Sequence, residues 1–415
     1  MFTGRVRGLR NRRERREDRN QGGIFHLFRF FRLFRNPLRL SPGVYDVMKA
    51  EKQRTKPIRV LVVAAPPDWL GGQAVQAARL LDGLAREPEV EAELAPIHPR
   101  LPGALSLLHE IKYVRTVVYT IAYYMLLLLR LPRFDVAHVF AASYFSFVIT
   151  PAAAVLIAKL YGKPVLLNYH SGEAEDHLRR WPRSTRLIFR LADRVVTPSR
   201  YLVGVFARFG IEAEAVSNTA PLERFAFRER RPLRPTLLSN RSLESHYNVA
   251  DTLRAFALIE RRMPDARLIV AGDGSDRARL RALAAKLELK RVEFVGAVQP
   301  DRMPELYDRA DIFVNSSLVD NMPLSLIEAF ACGLAVVSSN AGGIPSLVTE
   351  GENGLLSPCG DYEALAANVI RLLEDQRLAA GLIDRARGAS RQYTWTATRG
   401  SWLKIYTEMS GGESL

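Results

Sequence analysis

The chain has 415 residues, 48% of them hydrophobic and 25% charged, which excludes a disordered protein and predicts two globular domains rather than one. Its two cysteines, Cys332 and Cys359, lie far apart with no Cys or His at metal-ligand spacing, which excludes a disulfide framework and a zinc site and fits a reducing cytoplasm. The net charge of +15 calls for an acidic partner: nucleic acid, an anionic membrane or a phosphorylated small molecule.

Much of that charge sits near the start, where Arg5 to Arg19 has no apolar period and reads as disordered. Drawn as a helix, Ile24 to Arg35 sets Arg29, Arg32 and Arg35 on one side and Leu27, Phe30, Phe31, Leu33 and Phe34 on the other. Residues 24–40 either lie on an anionic bilayer or fold against the protein's own body. The arginines rule out a secretory signal, and no small-residue cleavage site follows. Thr116 to Leu129, the longest uncharged apolar stretch, falls short of the ~20 residues a bilayer crossing needs. It reads as a buried helix, or one whose surface dips into the interface.

From Ile58 onward, short β-rich runs alternate with amphipathic stretches, the pattern of parallel βαβ units. Strands are expected at Ile58 to Ala65, Asp135 to Phe140, Pro164 to His170, Arg194 to Thr197 and Ala213 to Ser217, with a first helix marked by Ala77, Leu80, Leu81 and Leu84. Pro221 to Pro235 holds three prolines and many charges and reads as an interdomain linker. A second series starts at Thr236 and continues at Arg267 to Ala271, Val292 to Val295, Asp311 to Asn315 and Ala335 to Ser338. The expected fold class is α/β, with two Rossmann-like domains whose parallel sheets face across a cleft, plus the basic N-terminal extension. The divisions fall at 1–56 (extension), 57–225 (first Rossmann-like domain), 226–390 (second Rossmann-like domain) and 391–415 (a helix returning to the first domain). Ligand belongs at the carboxyl ends of the strands.

Three glycine-bearing or acidic turns stand there. Gly71-Gly72 opens a helix and could bring backbone N–H groups to a diphosphate, although a tight turn explains it equally well. Gly272-Asp273-Gly274 follows a strand, but Arg277 stands where a dinucleotide fingerprint needs its third glycine, which argues against a nicotinamide oxidoreductase. The richest segment runs from Asn315 to Gly333: strand, polar turn, helix, with Asp320 and Glu328 flanking the turn. A helix starting near Pro323 would offer free amides around Asn321, Met322, Leu324 and Ser325 to phosphate and sugar oxygens. Glu328 could accept from vicinal ribose hydroxyls, while Asp320 alone reads more readily as a helix cap or turn residue.

These runs, together with Ser239-Asn-Arg241, Val292-Glu-Phe-Val-Gly296, Ala310 to Ser316, Gly342-Gly-Ile-Pro345 and Gly354 to Gly360, resemble the nucleotide-binding half of retaining glycosyltransferases of family 4, which have the GT-B fold. The first half is similar through Gly71-Gly72, Asn168-Tyr-His170, Thr197-Pro-Ser199 and Asn218 ahead of Phe225, so the resemblance covers about residues 57 to 390. It implies that Glu328 holds the donor ribose, that Asp320 touches the transferred sugar, that Arg241 neutralises the diphosphate, that His170 lies near the reacting sugar, and that main chain around Gly296 and Val298 holds the base. Two positions depart from the pattern: Asp320 replaces a Glu, and His246 stands where the family has a Lys. A His of ordinary pKa is a poor permanent cation, so more of the diphosphate's charge rests on Arg241.

The resemblance therefore implies a retaining, metal-independent transfer from a nucleotide-diphosphate sugar, with no cofactor beyond that co-substrate, to a hydroxyl acceptor that is lipid-linked or a polysaccharide precursor. The expected place is the cytoplasm, including the cytoplasmic face of the membrane. The alternatives are a GT-B-fold epimerase of nucleotide sugars and a catalytically silent nucleotide-sugar-binding protein. Nucleic acid is not expected as a partner, because no DNA- or RNA-binding motif accompanies the charge.

Overall fold

The computed structural model describes residues 56–67, 72–99, 112–141 and 143–411. The predicted helix at 24–35, the stretch 24–40 expected to lie on a bilayer or against the protein's own body, Gly71 and most of the loop from His98 to Leu108 lie outside the described residues. From Pro57 on, the chain forms one compact unit built on two sheets of six parallel strands.

The first sheet opens with β1 (Ile58–Ala64), fully buried from Val60 onward, as a strand covered by helices on both faces must be. There follow α1 (Gly72–Leu84), β2 (Val90–Pro96), α2 (Lys112–Arg130) and β3 (Val136–Ala141). Next, α3 (Tyr144–Phe147) runs through a π turn into α4 (Ala153–Leu160), ahead of β4 (Val165–Tyr169) and two helices, α5 (Ala174–Arg180) and α6 (Pro182–Leu191). The series ends with β5 (Arg194–Thr197), α7 (Arg200–Arg208) and β6 (Glu214–Ala215), and the strand order is β2-β1-β3-β4-β5-β6.

The second sheet contains β7 (Thr236–Asn240), α8 (Val249–Arg262), β8 (Arg267–Ala271), α9 (Arg277–Lys286), β9 (Val292–Gly296), α10 (Met303–Asp308) and β10 (Ile312–Asn315). It is completed by α11 (Leu324–Cys332), β11 (Ala335–Ser339), β12 (Leu355–Ser357), α12 (Tyr362–Glu374) and α13 (Gln376–Ser390), with strand order β12-β11-β10-β7-β8-β9. A last helix, α14 (Trp395–Met409), packs on the first sheet: Tyr406 Oη and His138 Nδ1 are 2.8 Å apart, and Trp395 Nε1 donates to Glu87 at 2.8 Å.

Two strands escaped the sequence reading, and both are sheet edges. β2 alternates Glu with small and apolar residues because one side meets water, and β12 has only three residues. The stretch from Thr116 to Leu129 is only half the buried helix expected: α2 buries Tyr123 and Leu127 and exposes Val117, Ile121, Met125 and Leu129.

The segment read as a linker is anchored. Arg228, Arg230 and Arg234 close on Asp311, just ahead of β10, with Arg228 Nη2 donating at 2.6 Å and Arg234 Nε at 3.0 Å. Burial pushes the Asp311 carboxyl up, but hydrogen bonds from Arg234 and Arg228 outweigh it and hold the group below its ordinary value. Prolines and charges without periodicity look like a linker; here the charges are clamps.

Candidate active site

In each sheet, neighbouring strands whose connections diverge leave a crevice at their carboxyl ends. In the second sheet this switch lies between β7 and β10, since β8 and β9 continue one way and β11 and β12 the other. Arg241 is the residue after β7, and Asp320 lies in the turn after β10. The fold therefore delivers both to one place.

There they pair directly, Arg241 Nη2 to Asp320 Oδ2, and both side chains are about nine-tenths buried. Arg241 Nη1 also reaches Ser325 Oγ at 3.3 Å, in the first turn of α11. The network continues inward: Tyr307 Oη donates to the Ser325 carbonyl at 3.2 Å and to Glu328 Oε2 at 2.9 Å. Glu328 Oε1 accepts from Arg79 Nη2 at 3.1 Å, so a first-lobe arginine on α1 closes the chain. Arg241 and Glu328 thus belong to one continuous polar network. Burial raises the Glu328 carboxyl above its ordinary range, with Arg79 and Tyr307 opposing that rise.

Pro323, not Asp320, is the N-cap of α11, and no side chain caps that end; the Leu326 amide donates to the Pro323 carbonyl at 3.2 Å, and the amides ahead of it are left without a capping side chain. The expected cap role for Asp320 gives way to the ion pair and to a hydrogen bond from the Asn321 amide at 2.9 Å. Asn321 Oδ1 accepts from Ser199 Oγ, whereas its Nδ2 is buried with no partner. Met322 is tied to the first lobe, its carbonyl accepting from Asn218 Nδ2 at 3.3 Å. Leu324 and Val298 pack on the same apolar cluster, which places the turn after β9 beside α11. Gly296, at φ +76°, accepts from the Gly272 amide at 2.8 Å. Gly272 in turn lies so close to Arg241 that an added Cβ would collide with the Arg241 carbonyl oxygen.

His170, at the end of β4, stacks on Phe140 with centroids 5.1 Å apart; burial lowers its pKa to about 4, and its Nε2 has no partner. Two residues on, a Cβ at Gly172 would meet Val319 at 3.3 Å and the Asp320 backbone at 3.4 Å, so this first-lobe loop abuts the Asp320 turn. His246 gives its carbonyl to the Leu318 amide at 2.9 Å. Its neighbour Tyr247 lies under the Arg241 guanidinium, 4.2 Å from ring to carbon. Gly72 starts α1 in the open, with nothing within 4 Å of an added Cβ, and stands apart from the network.

The sequence reading missed Arg79, Tyr307, Tyr247 and Tyr144. None lies in a recognisable motif, and the first two act through a partner far along the chain. Tyr144 carried one signal that only coordinates show: φ of +56°, a strained backbone for an aromatic residue. Its hydroxyl donates to Asp176 at 2.6 Å, and it helps line a cavity of about 580 Å³ between the lobes, together with Glu173, Arg180, Tyr201, Val319 and Gly342. Glu175 and Asp176 are held by Arg179 and Arg180 at 3.0 and 2.9 Å. Among the described residues no cluster of His, Cys, Asp and Glu could hold a metal ion, and no helix is long and apolar enough to cross a membrane.

Two sheets of this kind, one cleft and a guanidinium facing a helix amino end define a two-lobed α/β scaffold with a positive centre in its cleft, and comparison with known proteins places the chain. Residues 70–224 match the family described as Glycosyltransferase Family 4, and residues 223–389 match Glycosyl transferases group 1. The chain belongs to this glycosyltransferase family and has the GT-B fold. It is 34% identical over 140 residues to N-acetyl-alpha-D-glucosaminyl L-malate synthase of Bacillus anthracis, covering 34% of this chain and 36% of that one. It is 30% identical over 179 residues to the phosphatidyl-myo-inositol mannosyltransferase of Mycolicibacterium smegmatis, covering 43% and 46%. The chain thus spans between about a third and a half of these curated relatives. HepE of Anabaena, solved with UDP, superposes with a TM-score of 0.67 at 17% identity over 85% of this chain and all of that one. Another structure of the same protein holds UDP-glucose.

Proposed function

We propose that the protein transfers a sugar from a nucleotide-diphosphate donor to a hydroxyl acceptor with retention of configuration and without a metal ion. The observation that carries this reading is that polar atoms of Arg241, His170 and Asn321 are buried without partners. Buried unsatisfied donors cost free energy, about 1–3 kcal/mol each, which a ligand's oxygens would recover. The fold neighbour that binds UDP and UDP-glucose supports the donor class.

The donor diphosphate would displace Asp320 from Arg241 and lie between the guanidinium and the first-turn amides of α11. Tyr247 fixes the plane of the guanidinium, so little ordering remains at the moment of reaction. Asp320, released, accepts from hydroxyls of the transferred sugar. Glu328 has two of its roughly four acceptor sites filled by Arg79 and Tyr307 and keeps the others for the ribose. The bond from the anomeric carbon to the diphosphate breaks, the acceptor oxygen bonds on the same face, and its proton passes to the departing phosphate. Arg241 and the helix end carry the charge that develops there. The acceptor enters through the cavity at Tyr144 and Glu173; the lipid-linked or polysaccharide-precursor class remains part of this reading.

Calorimetry with UDP and UDP-glucose, and with the GDP analogues, tests it. Arg241→Gln should weaken every donor by about 100-fold, as loss of a charge-assisted contact does. Asp320→Asn should weaken UDP-glucose relative to UDP, because only the sugar meets that side chain, whereas UDP no longer has to displace a carboxylate from Arg241. A parent protein that binds none of these nucleotides, or an Asp320 variant that binds all of them equally well, would contradict the proposal.

A further inference from the structure

We propose that the outer helices of the first lobe form a docking face for an anionic lipid bilayer. Apart from Leu318, the large apolar side chains exposed among the described residues all lie on α2, on α6, or between α3 and the residue capping α4. On α2, Val117, Ile121, Met125 and Leu129 recur every fourth residue and are 50% to 66% exposed. The opposite side of the same helix buries Tyr123 and Leu127, so the helix is apolar all round and half of it is left uncovered by the described residues.

The neighbouring elements make this stripe a surface. Tyr124 Oη donates to the Ile149 carbonyl at 3.0 Å, and Tyr161 Oη to the Leu128 carbonyl at 3.1 Å, which holds the α3–α4 segment beside α2. That segment adds Phe145 and Leu160, 65% and 75% exposed, and α4 packs in turn on α6. On α6, Arg183, Arg186, Leu187 and Arg190 fall on one outward stripe. Arg179 and Arg180 pair with Glu175 and Asp176, whereas Arg183, Arg186 and Arg190 meet no carboxylate among the described residues.

Charge decides the occupant. Whatever covers this face must be apolar in the middle and negative at the side of α6. The chain's own residues 24–35 carry Arg29, Arg32 and Arg35 and would set like charge against like, and so would a second copy of the same face. A bilayer with acidic headgroups satisfies both requirements. Phe145 on this face is next to Tyr144 on the cavity, so docking turns the cavity towards the lipid. Resting on the reading above, the acceptor is then an amphiphile whose apolar part stays in the membrane.

Flotation of the full chain with phosphatidylcholine vesicles, with and without phosphatidylglycerol, measures the binding. The expected result is capture by the anionic vesicles only. Arg183→Gln/Arg186→Gln/Arg190→Gln should weaken it roughly 100-fold and blunt its salt dependence. Ile121→Ser/Met125→Ser/Leu129→Ser should weaken it at least about tenfold. A tryptophan placed by Leu129→Trp should be quenched by lipids with brominated acyl chains. Vesicle binding without that quenching would give the bilayer to another segment and overturn the proposal. So would a dimer in vesicle-free solution that the α2 triple variant splits, which would make a second copy the occupant. Docking is read without catalysis: UDP-glucose affinity should be the same in all these variants, and a parent that docks but binds no nucleotide sugar would sink the enzyme assignment alone.

Discussion

The two lobes repeat one sheet plan and treat charge in opposite ways. The second lobe buries ion pairs at both ends of its sheet: three arginines on Asp311 at the amino end, and Arg241 on Asp320 at the carboxyl end. The first lobe buries neutral imidazoles instead. His138 and His177 are fully inaccessible and His170 lies at the sheet's carboxyl edge, each with its pKa lowered by desolvation. The same architecture can therefore be stabilised by groups that must be charged or by groups that must not be. Among the described residues, the guanidinium at the carboxyl end of a sheet, Arg241, belongs to the charged lobe.

Acid should separate the lobes first, and by the most. Desolvation depresses His138 to about 3 and His177 to about 4, from an ordinary 6.5. As pH falls below 6.5, the unfolded chain takes up protons at these residues and the native lobe does not, so stability present above that pH is lost on the way down to about 4. Each histidine withdraws up to about 1.4 kcal/mol per pH unit in this window. The first lobe should thus lose amide-exchange protection before the second; simultaneous loss, or loss of the second lobe first, breaks the comparison.

Next in size is Asp311→Ala. Removing the carboxylate takes the shared partner from three guanidiniums, leaving Arg228 with Asp308 and the fully buried Arg230 with backbone carbonyls alone, and should destabilise the second lobe by about 3–5 kcal/mol in urea unfolding. A loss below about 1 kcal/mol would mean that carbonyl partners such as those of Ala310 and Tyr307 suffice for Arg230.

Legibility in the sequence follows the same division. The second lobe was readable because its function sits in consecutive residues: β10, the Asp320 turn and α11 form one stretch, with Arg241 ending the strand beside it. Central strands such as β1 and β10 showed as apolar runs; the edge strands β6 and β9 were also legible, whereas β2, with glutamates alternating through it, and β12, with three residues, carried no such run. Arg79 and Tyr307 were invisible because their partner, Glu328, is reached only after folding. The arginines of the supposed linker misled for the same reason: spacing along the chain did not reveal that they share Asp311. On α2, composition showed an apolar helix but not which half the protein leaves uncovered.

The finest test compares two turn glycines, one in each lobe. Gly342 has φ of +49°, and its Cα lies against the Asp320 carbonyl, so an added Cβ would collide with it. Gly72, which opens α1 in the first lobe, has open space around it. Gly342→Ala should push the Asp320 turn away from Arg241, at a cost of about 1–3 kcal/mol in stability and with weaker UDP-glucose binding. Gly72→Ala should stay within about 0.5 kcal/mol, because the first helical position accepts alanine readily. Should Gly72→Ala instead abolish donor binding while the fold survives, the first-lobe turn would be a phosphate cradle after all. The positive centre of the site would then have to be shared between the lobes.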